Sequence, residues 1–263
     1  MTTVTKKPQL RLAQVSNIID LSPFLRRIIF TGKDLVGFPD DAQGAYVKVF
    51  LPNIGENTPN MNLTGPNTAT KRSYTIRQFD RSRSELTLDF VINKHIGPAT
   101  DWAKNAQLND TVGIAGPGPL KMNNFHGQHY LLMGDMTSIN AVNGIINRLP
   151  PQAHCQVIQI IDSEQDKQII DKKNNVDICW VMANDPFAYH QLDLLLFEAV
   201  KKHTQIHSLT QVFMGLEASQ VRTIKAYLLD ETDVPLSAIS ATGYWKRGVN
   251  ADDFGKQKNA NPL

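Results

Sequence analysis

Residues 71 to 77 read Lys71-Arg72-Ser73-Tyr74-Thr75-Ile76-Arg77, a run that could hold a flavin nucleotide by both its charged end and its ring. An arginine guanidinium offers a planar fork of donors matched to a phosphate. Along an extended chain alternate side chains return to the same face, so Arg72 and Tyr74 can address one ligand together. Tyr74 is suited to stacking on an isoalloxazine ring. Thr75 would bring a hydroxyl and a backbone amide to the ring nitrogen that accepts a hydride. A second place for an anion follows one strand later, in Ile96-Gly97-Pro98-Ala99-Thr100-Asp101-Trp102-Ala103. There a glycine, a proline and a small residue open a helix whose first amides lack intrahelical acceptors, so they could cradle a pyrophosphate with the Thr100 hydroxyl beside them. Either pattern alone is also that of an ordinary strand or helix start.

Two kinds of element must position these residues. In the first half, short β-like runs separated by turn residues span Gln9 to Ser16, Leu25 to Thr31, Ala45 to Leu51, Lys71 to Arg77, Glu85 to Ile92 and Thr111 to Ala115, which predicts a small antiparallel barrel. The one helix expected there runs from Pro98 to Leu108. Between the third and fourth runs, Pro52 to Thr70 is rich in Asn, Pro, Gly and Thr, a long loop of the kind that is either functional or poorly ordered. From about residue 127 the period changes. Strands at His129 to Met133, Cys155 to Asp162, Val176 to Met182, Gln211 to Gly215 and Ile239 to Tyr244 alternate with helices at Ser138 to Leu149, Tyr189 to Lys202 and Ser219 to Leu229. That alternation predicts a parallel sheet with crossover helices, whose ligands bind at the carboxyl ends of the strands. The boundary falls near Met122 to Gly127, and Val249 to Leu263 reads as a polar tail, mobile unless it forms a helix.

At 263 residues the chain suits two domains of ordinary size, and 41% apolar residues provide them with cores. A formal net charge of +2 carries no general polyanion signal, so nucleic acid is not expected and any anion binding is local. Neither a leader-like apolar stretch at Met1 to Pro8 nor an apolar run long enough to span a bilayer occurs, and the chain reads as cytoplasmic without an integral membrane segment. Cys155 and Cys179 lie in strand-like runs without metal-ligand spacing and are expected to be packed thiols; no metal site is expected. The sequon Asn62-Leu63-Thr64 carries no meaning in a cytoplasmic protein.

Five ordered blocks give the chain a family resemblance. Arg72-Ser73-Tyr74-Thr75-Ile76-Arg77, Asp89-Phe90-Val91-Ile92, Gly97-Pro98-Ala99-Thr100-Asp101-Trp102-Ala103, Gly113-Ile114-Ala115-Gly116-Pro117 and Gly243-Tyr244-Trp245-Lys246-Arg247-Gly248 resemble the siderophore-interacting proteins, flavin-dependent ferric-siderophore reductases of the ferredoxin reductase-like superfamily. The resemblance implies a six-stranded antiparallel Greek-key barrel binding FAD (residues 1–124), a parallel-sheet α/β domain binding NADH or NADPH (125–248), and the tail (249–263). It implies Arg72 at phosphate with Ser73 among the cofactor contacts, Tyr74 and Thr75 at the ring, Asp89, Phe90 and Val91 along the ribityl chain and ring edge, and Gly97, Ala99 and Thr100 at the pyrophosphate. Asn93 stands where the family often has a histidine, with His95 nearby. In the second half Asp135 and Thr137, from a turn where Met136 replaces the family's acidic residue, and Tyr244 and Trp245 are the implied cofactor contacts. Leu216 stands in place of a family glycine.

The second half has no glycine-rich dinucleotide fingerprint. Asp162 and Glu164 follow the next strand and suit an unmodified ribose, which leans toward NADH. Ferric iron is a hard ion held tightly by siderophore oxygens, and reduction loosens that grip. Anionic ferric siderophores need local positive charge, for which Lys48, Lys246, Arg247 and Lys121 are the candidates. No side chain stands out as a general acid or base, as expected when the cofactor carries the redox chemistry. Ferredoxin is an alternative donor. A general flavin reductase, and a siderophore carrier without turnover, remain the alternative readings.

Overall fold

The computed structural model describes residues 9–62, 65, 67–170, 175–203 and 206–260. Residues 1–8, two residues of the sequon (63 and 64) and the last three residues of the tail lie outside them. The chain divides into two compact units, one running to Asp20 and resuming over Arg26–Leu120, the other made of Leu21–Leu25 and Lys121–Leu263.

The first unit is a closed antiparallel barrel. Its strands are β1 (Leu10–Ser22), β2 (Leu25–Thr31), β3 (Tyr46–Leu51), β4 (Thr70–Asp80), β5 (Glu85–Val91) and β6 (Thr111–Ala115), with one helix, α1 (Pro98–Asn105). Their spatial order, β1-β2-β5-β4-β3-β6, leaves no free edge. Side-chain alternation makes this possible, with the outward Phe50 of β3 buried in a separate cluster. In β3, Val47, Val49 and Leu51 point inward while Lys48 points to solvent, and across the pair Val47 faces Tyr74 and Val49 faces Arg72. The inner residues join Ile28, Phe30, Ile76, Leu88, Phe90, Val112 and Ile114 in one apolar core. β1 runs on past its expected end and β4 extends beyond its expected run at both ends, its Gln78 to Asp80 pairing with β5.

The long loop after β3 is tied down at three points. Asn53 and Asn60 donate to the Asn67 carbonyl at 3.2 and 3.0 Å, and Met61 packs on a satellite cluster of Phe50, Ala69, Ala115 and Leu10.

The second unit is a five-stranded parallel sheet, β7 (His129–Gly134), β8 (His154–Ile160), β9 (Val176–Val181), β10 (Thr210–Glu217) and β11 (Ile239–Trp245), in the order β11-β10-β7-β8-β9. Helices α2 (Ile139–Ile146), α3 (Tyr189–His203) and α4 (Ala218–Glu231) alternate with the strands. β7 is buried at five of its six positions, as a strand covered on both faces must be. Two glycines let α2 approach this sheet. A Cβ on Gly134 would sit 2.7 Å from Ser138 Oγ, and one on Gly215 would sit 2.7 Å from Ser138 Cβ. The Ser138 hydroxyl donates to the Gly215 carbonyl at 2.6 Å in the space they leave.

Of the two readings of the polar tail, mobile or helical, the structure has the second, α5 (Ala251–Ala260). Asn250 caps it, its Oδ1 accepting the amides of Asp252 and Asp253 at 3.1 and 3.0 Å. Phe254 buries its ring, and Lys258 Nζ donates to the Gly243 carbonyl of β11 at 2.9 Å. A helix this polar leaves no apolar stripe in the sequence, and a single aromatic anchor with long-range hydrogen bonds takes its place. Among the described residues no helix is long and apolar enough to cross a membrane.

Candidate functional site

On the barrel, register fixes what β4 can present. Arg72, Tyr74 and Ile76 share the inner face, Ser73 and Thr75 the outer one, since Ser73 pairs with Lys48 and Thr75 with Tyr46. Ile76 is fully buried, whereas Tyr74 and Arg72 are half-buried, so the inner face opens toward Arg72. Tyr74 leans on Phe90 of β5, with ring centroids 4.2 Å apart. Phe90 in turn meets Trp102 of α1 at 5.7 Å, and Trp102 stacks on Phe30 at 6.3 Å. One aromatic cluster therefore sets both the strand bearing Arg72 and the helix that opens at Gly97. Burial pushes the Tyr74 phenol well above its ordinary range, with the Arg72 charge pulling the other way, and the ring stays neutral at any physiological pH.

The start of α1 is open. Gly97 precedes it with φ 154° and no side chain caps it, while a Cβ at Gly97 would meet nothing within 4 Å. Pro98 has no amide hydrogen, which leaves Ala99 and Thr100 to present theirs in the first turn. The donor set of guanidinium, hydroxyls and helix amides beside a half-buried aromatic ring fits the phosphates and ring of FAD.

Other expected contacts are placed differently. Asp89 does not turn outward. Its carboxylate is clasped by Arg27, Nε to Oδ1 at 2.7 Å and NH2 to Oδ2 at 2.9 Å, with Asp89 exposed by only 1%. The Phe90 ring lies wholly in the core, so along the ribityl chain these two residues can offer only backbone. Val91 is half-buried, and Asn93 follows in a turn with φ 58°.

In the second unit the carboxyl ends of β7, β10 and β11 carry a polar network. Asp135 Oδ1 accepts the Thr137 amide at 2.8 Å and the Thr137 hydroxyl, while Oδ2 accepts the Trp245 indole at 2.7 Å. Asp135 is thus a holder of Trp245 and Thr137. Tyr244 borders Gly215, where a Cβ would come within 2.9 Å of its ring. Arg247 departs most from expectation. It forms an ion pair with Asp193 of α3 and lies 4.9 Å over the Tyr189 ring, so its charge is already answered within the fold.

Each candidate lysine is exposed or half-buried. Lys48 is exposed on β3 beside Ser73. Lys246 donates to Gln257 of α5 at 2.8 Å. Lys258, which sequence reasoning missed, is pushed down by burial and by the nearby charge of Lys121. Lys121 and Lys258 therefore lie in one field, and α5 ties Lys246 to the same region. Asp162, buried after β8, donates its amide to Asp166 at 3.0 Å, and Glu164 pairs with Lys167. Arg27, Asp193 and Glu217 were also missed. Charged residues at 89 and 217, inside otherwise apolar strands, were the signal that partners had to exist.

Known proteins carry the same two-part organisation. Residues 14–120 match the family profile described as the siderophore-interacting FAD-binding domain, and residues 127–248 match that of the siderophore-interacting protein. The ferric vibriobactin reductase ViuB of Vibrio cholerae is 28% identical over 246 residues, covering 91% of this chain and 90% of that protein. The siderophore-interacting protein SipS of Aeromonas hydrophila superposes with a TM-score of 0.81 at 25% identity, over 96% of this chain and 98% of the other. A siderophore utilization protein from T. fusca does so at 0.80 and 29%, over 93% and 95%. A ferredoxin reductase of carbazole 1,9a-dioxygenase shares the fold at a TM-score of 0.67 and 11% identity. Two family profiles in sequence, one on the barrel and one on the parallel sheet, together with whole-length likeness in structure, make this chain a member of the siderophore-interacting protein family, with an N-terminal FAD-binding domain.

Proposed function

We propose that this protein is an FAD-dependent ferric-siderophore reductase that draws electrons from a nicotinamide coenzyme. The observation that carries the reading is the near-complete coverage of a relative named as a ferric-siderophore reductase, joined to a barrel whose open α1 start and Arg72 suit a dinucleotide. Bound FAD would supply the chemistry, accepting a hydride from the coenzyme and releasing electrons singly to the ferric substrate.

The chain's own residues hold and aim. Arg72 and the amides of Ala99 and Thr100 bind the phosphates. Tyr74 supplies a neutral, Phe90-backed ring, and Thr75 a hydroxyl and amide near the ring nitrogen. The backbones at 89–91 and Asn93 border the ribityl chain. Lys48 on the barrel, and Lys121, Lys246 and Lys258 on the second unit, each offer an anionic ferric siderophore local positive charge in an otherwise near-neutral chain. Asp162 suits the 2′-hydroxyl of NADH more than the phosphate of NADPH. The reading places reduction, and release of ferrous iron, in the cytoplasm.

Stopped-flow absorbance of the FAD-loaded protein tests it. Mixing with NADH, NADPH or reduced ferredoxin in turn should bleach the flavin fastest with NADH, and a ferric-siderophore chase should restore the colour. Bleaching by NADH followed by reoxidation only with free flavin or quinone would replace the reading by that of a general flavin reductase. Replacing Lys48 or Lys246 with alanine should raise the apparent KM for an anionic ferric siderophore with flavin content unchanged, and an unaltered KM removes that lysine from the site.

A further inference from the structure

The chain just past β11 is braced by acidic side chains from two other elements. Arg247 NH1 donates to Asp193 Oδ2 at 2.7 Å and NH2 to Asp193 Oδ1 at 2.5 Å, a two-point pairing that fixes orientation as well as distance. Its backbone amide donates to Glu217 Oε1 at 3.1 Å. The other oxygen of Glu217 caps α4 by accepting the amides of Ser219 and Gln220, and Gln220 Nε2 closes the ring on Asp193 Oδ1 at 2.8 Å. Arg247 Nε lacks a partner among the described residues and is buried, out of a ligand's reach. Burial by itself would raise the Asp193 carboxyl, yet the hydrogen bonds from Arg247 and Gln220 prevail and hold it below its ordinary range.

What this brace holds still is Trp245. The indole is set from one side by Asp135 at 2.7 Å and lies 5.9 Å from the Tyr189 ring. Tyr189 also carries the Arg247 guanidinium on its face and stands four residues before Asp193 on α3, on the same side of that helix. Asp193, Arg247, Tyr189 and Trp245 thus form a chain of direct contacts at the carboxyl end of the sheet, the edge where coenzymes bind in such folds.

We propose that Asp193 is a positioning residue for the coenzyme, using Arg247 as a strut that fixes the turn after β11 and with it Trp245. Its coenzyme part rests on the function proposed above, whereas the strut itself does not.

Two experiments on the full chain separate these parts. With Trp102 and Trp180 replaced by phenylalanine, Trp245 is the one remaining of three tryptophans, and its emission reports the strut without coenzyme or turnover. Asp193→Asn should shift that emission to the red and raise its quenching by acrylamide, Arg247→Gln should do the same, and Asp193→Glu should restore much of the original signal. In the unaltered tryptophan background, Asp193→Asn should raise the KM for NADH about tenfold with kcat changed less than about twofold. Arg247→Gln should cost the same, and the double variant no more than either single one. Unchanged Trp245 emission in Asp193→Asn overturns the strut. A ferric-siderophore KM raised by Arg247→Gln but not by Asp193→Asn also overturns it, by making Arg247 a substrate contact. A shifted emission in a protein that NADH does not reduce keeps the strut and overturns its coenzyme role. A protein destabilised by Asp193→Asn alone would show equal loss of kcat and flavin, which likewise overturns the proposal.

Discussion

Arg72 and Tyr74 stand two residues apart on one face of β4, and that pleat makes a phosphate contact and a ring contact available to one ligand. Arg72→Ala should weaken FAD binding about 10- to 100-fold, the loss expected when a charge-assisted hydrogen bond disappears; flavin released on dilution measures it, with the Tm of the FAD-free protein unchanged. Tyr74→Phe should keep FAD, because the phenol acts through its face, while Tyr74→Ala should lose it. Asp89 behaves differently from its sequence reading. Buried and clasped by Arg27, it is a structural charge, and Asp89→Asn should cost about 3 kcal/mol in urea unfolding by breaking a buried pair. A fully stable Asp89→Asn protein that releases FAD would return Asp89 to the ligand site. The shared face of Arg72 and Tyr74 was legible because alternate positions of a strand point the same way. Whether Asp89 faced a cofactor or an arginine 62 residues away was not, since both uses ask for the same carboxylate.

Among the elements, α5 was the least legible, and Phe254 is its one buried residue. Its signals were local and polar, Asn250 as cap and Asp252 and Asp253 in the first turn. Phe254→Ala should lower stability by about 2 kcal/mol and raise the KM for siderophore by loosening Lys246, which Gln257 holds; unfolding curves and kinetics on one preparation check both. At the opposite edge of the parallel sheet, the starts of β7 and β8 place His129 and His154 in register, with ring centroids 5.9 Å apart. His207, in the turn leading into β10, lies 4.4 Å from His129. Burial, then the charges of His207 and His154, push His129 below its ordinary 6.5. The folded chain therefore binds fewer protons here than the unfolded one, so stability should fall as pH drops below about 6.5 and recover above it. His129→Gln should flatten that part of a Tm-against-pH curve, and an unchanged slope would show that the imidazoles do not act on one another.

At the scale of the whole molecule, the chain forms two compact units, each matched by its own family profile. If FAD belongs to the barrel, saturating FAD should raise the barrel's unfolding transition by mass action and leave that of the parallel-sheet unit in place. Calorimetry of the full chain with and without FAD reads this directly, and an upward shift confined to the parallel-sheet unit would move the cofactor out of the barrel. The alternation of polar and apolar residues, the change of period near residue 127 and the glycine and proline before α1 are properties of neighbouring residues, and from them the sequence alone determined a barrel followed by a parallel sheet. The same local logic put Arg72 and Tyr74 on one face of β4 and an open helix start at Gly97. Tertiary structure alone decided which charges are spoken for. Asp193 meets Arg247 across 54 residues and Asp135 meets Trp245 across 110, and no periodicity encodes such pairs. They exist only once strand register and helix packing have brought distant backbone together, and the low dielectric of that packing makes each buried carboxylate take whichever donor the fold delivers.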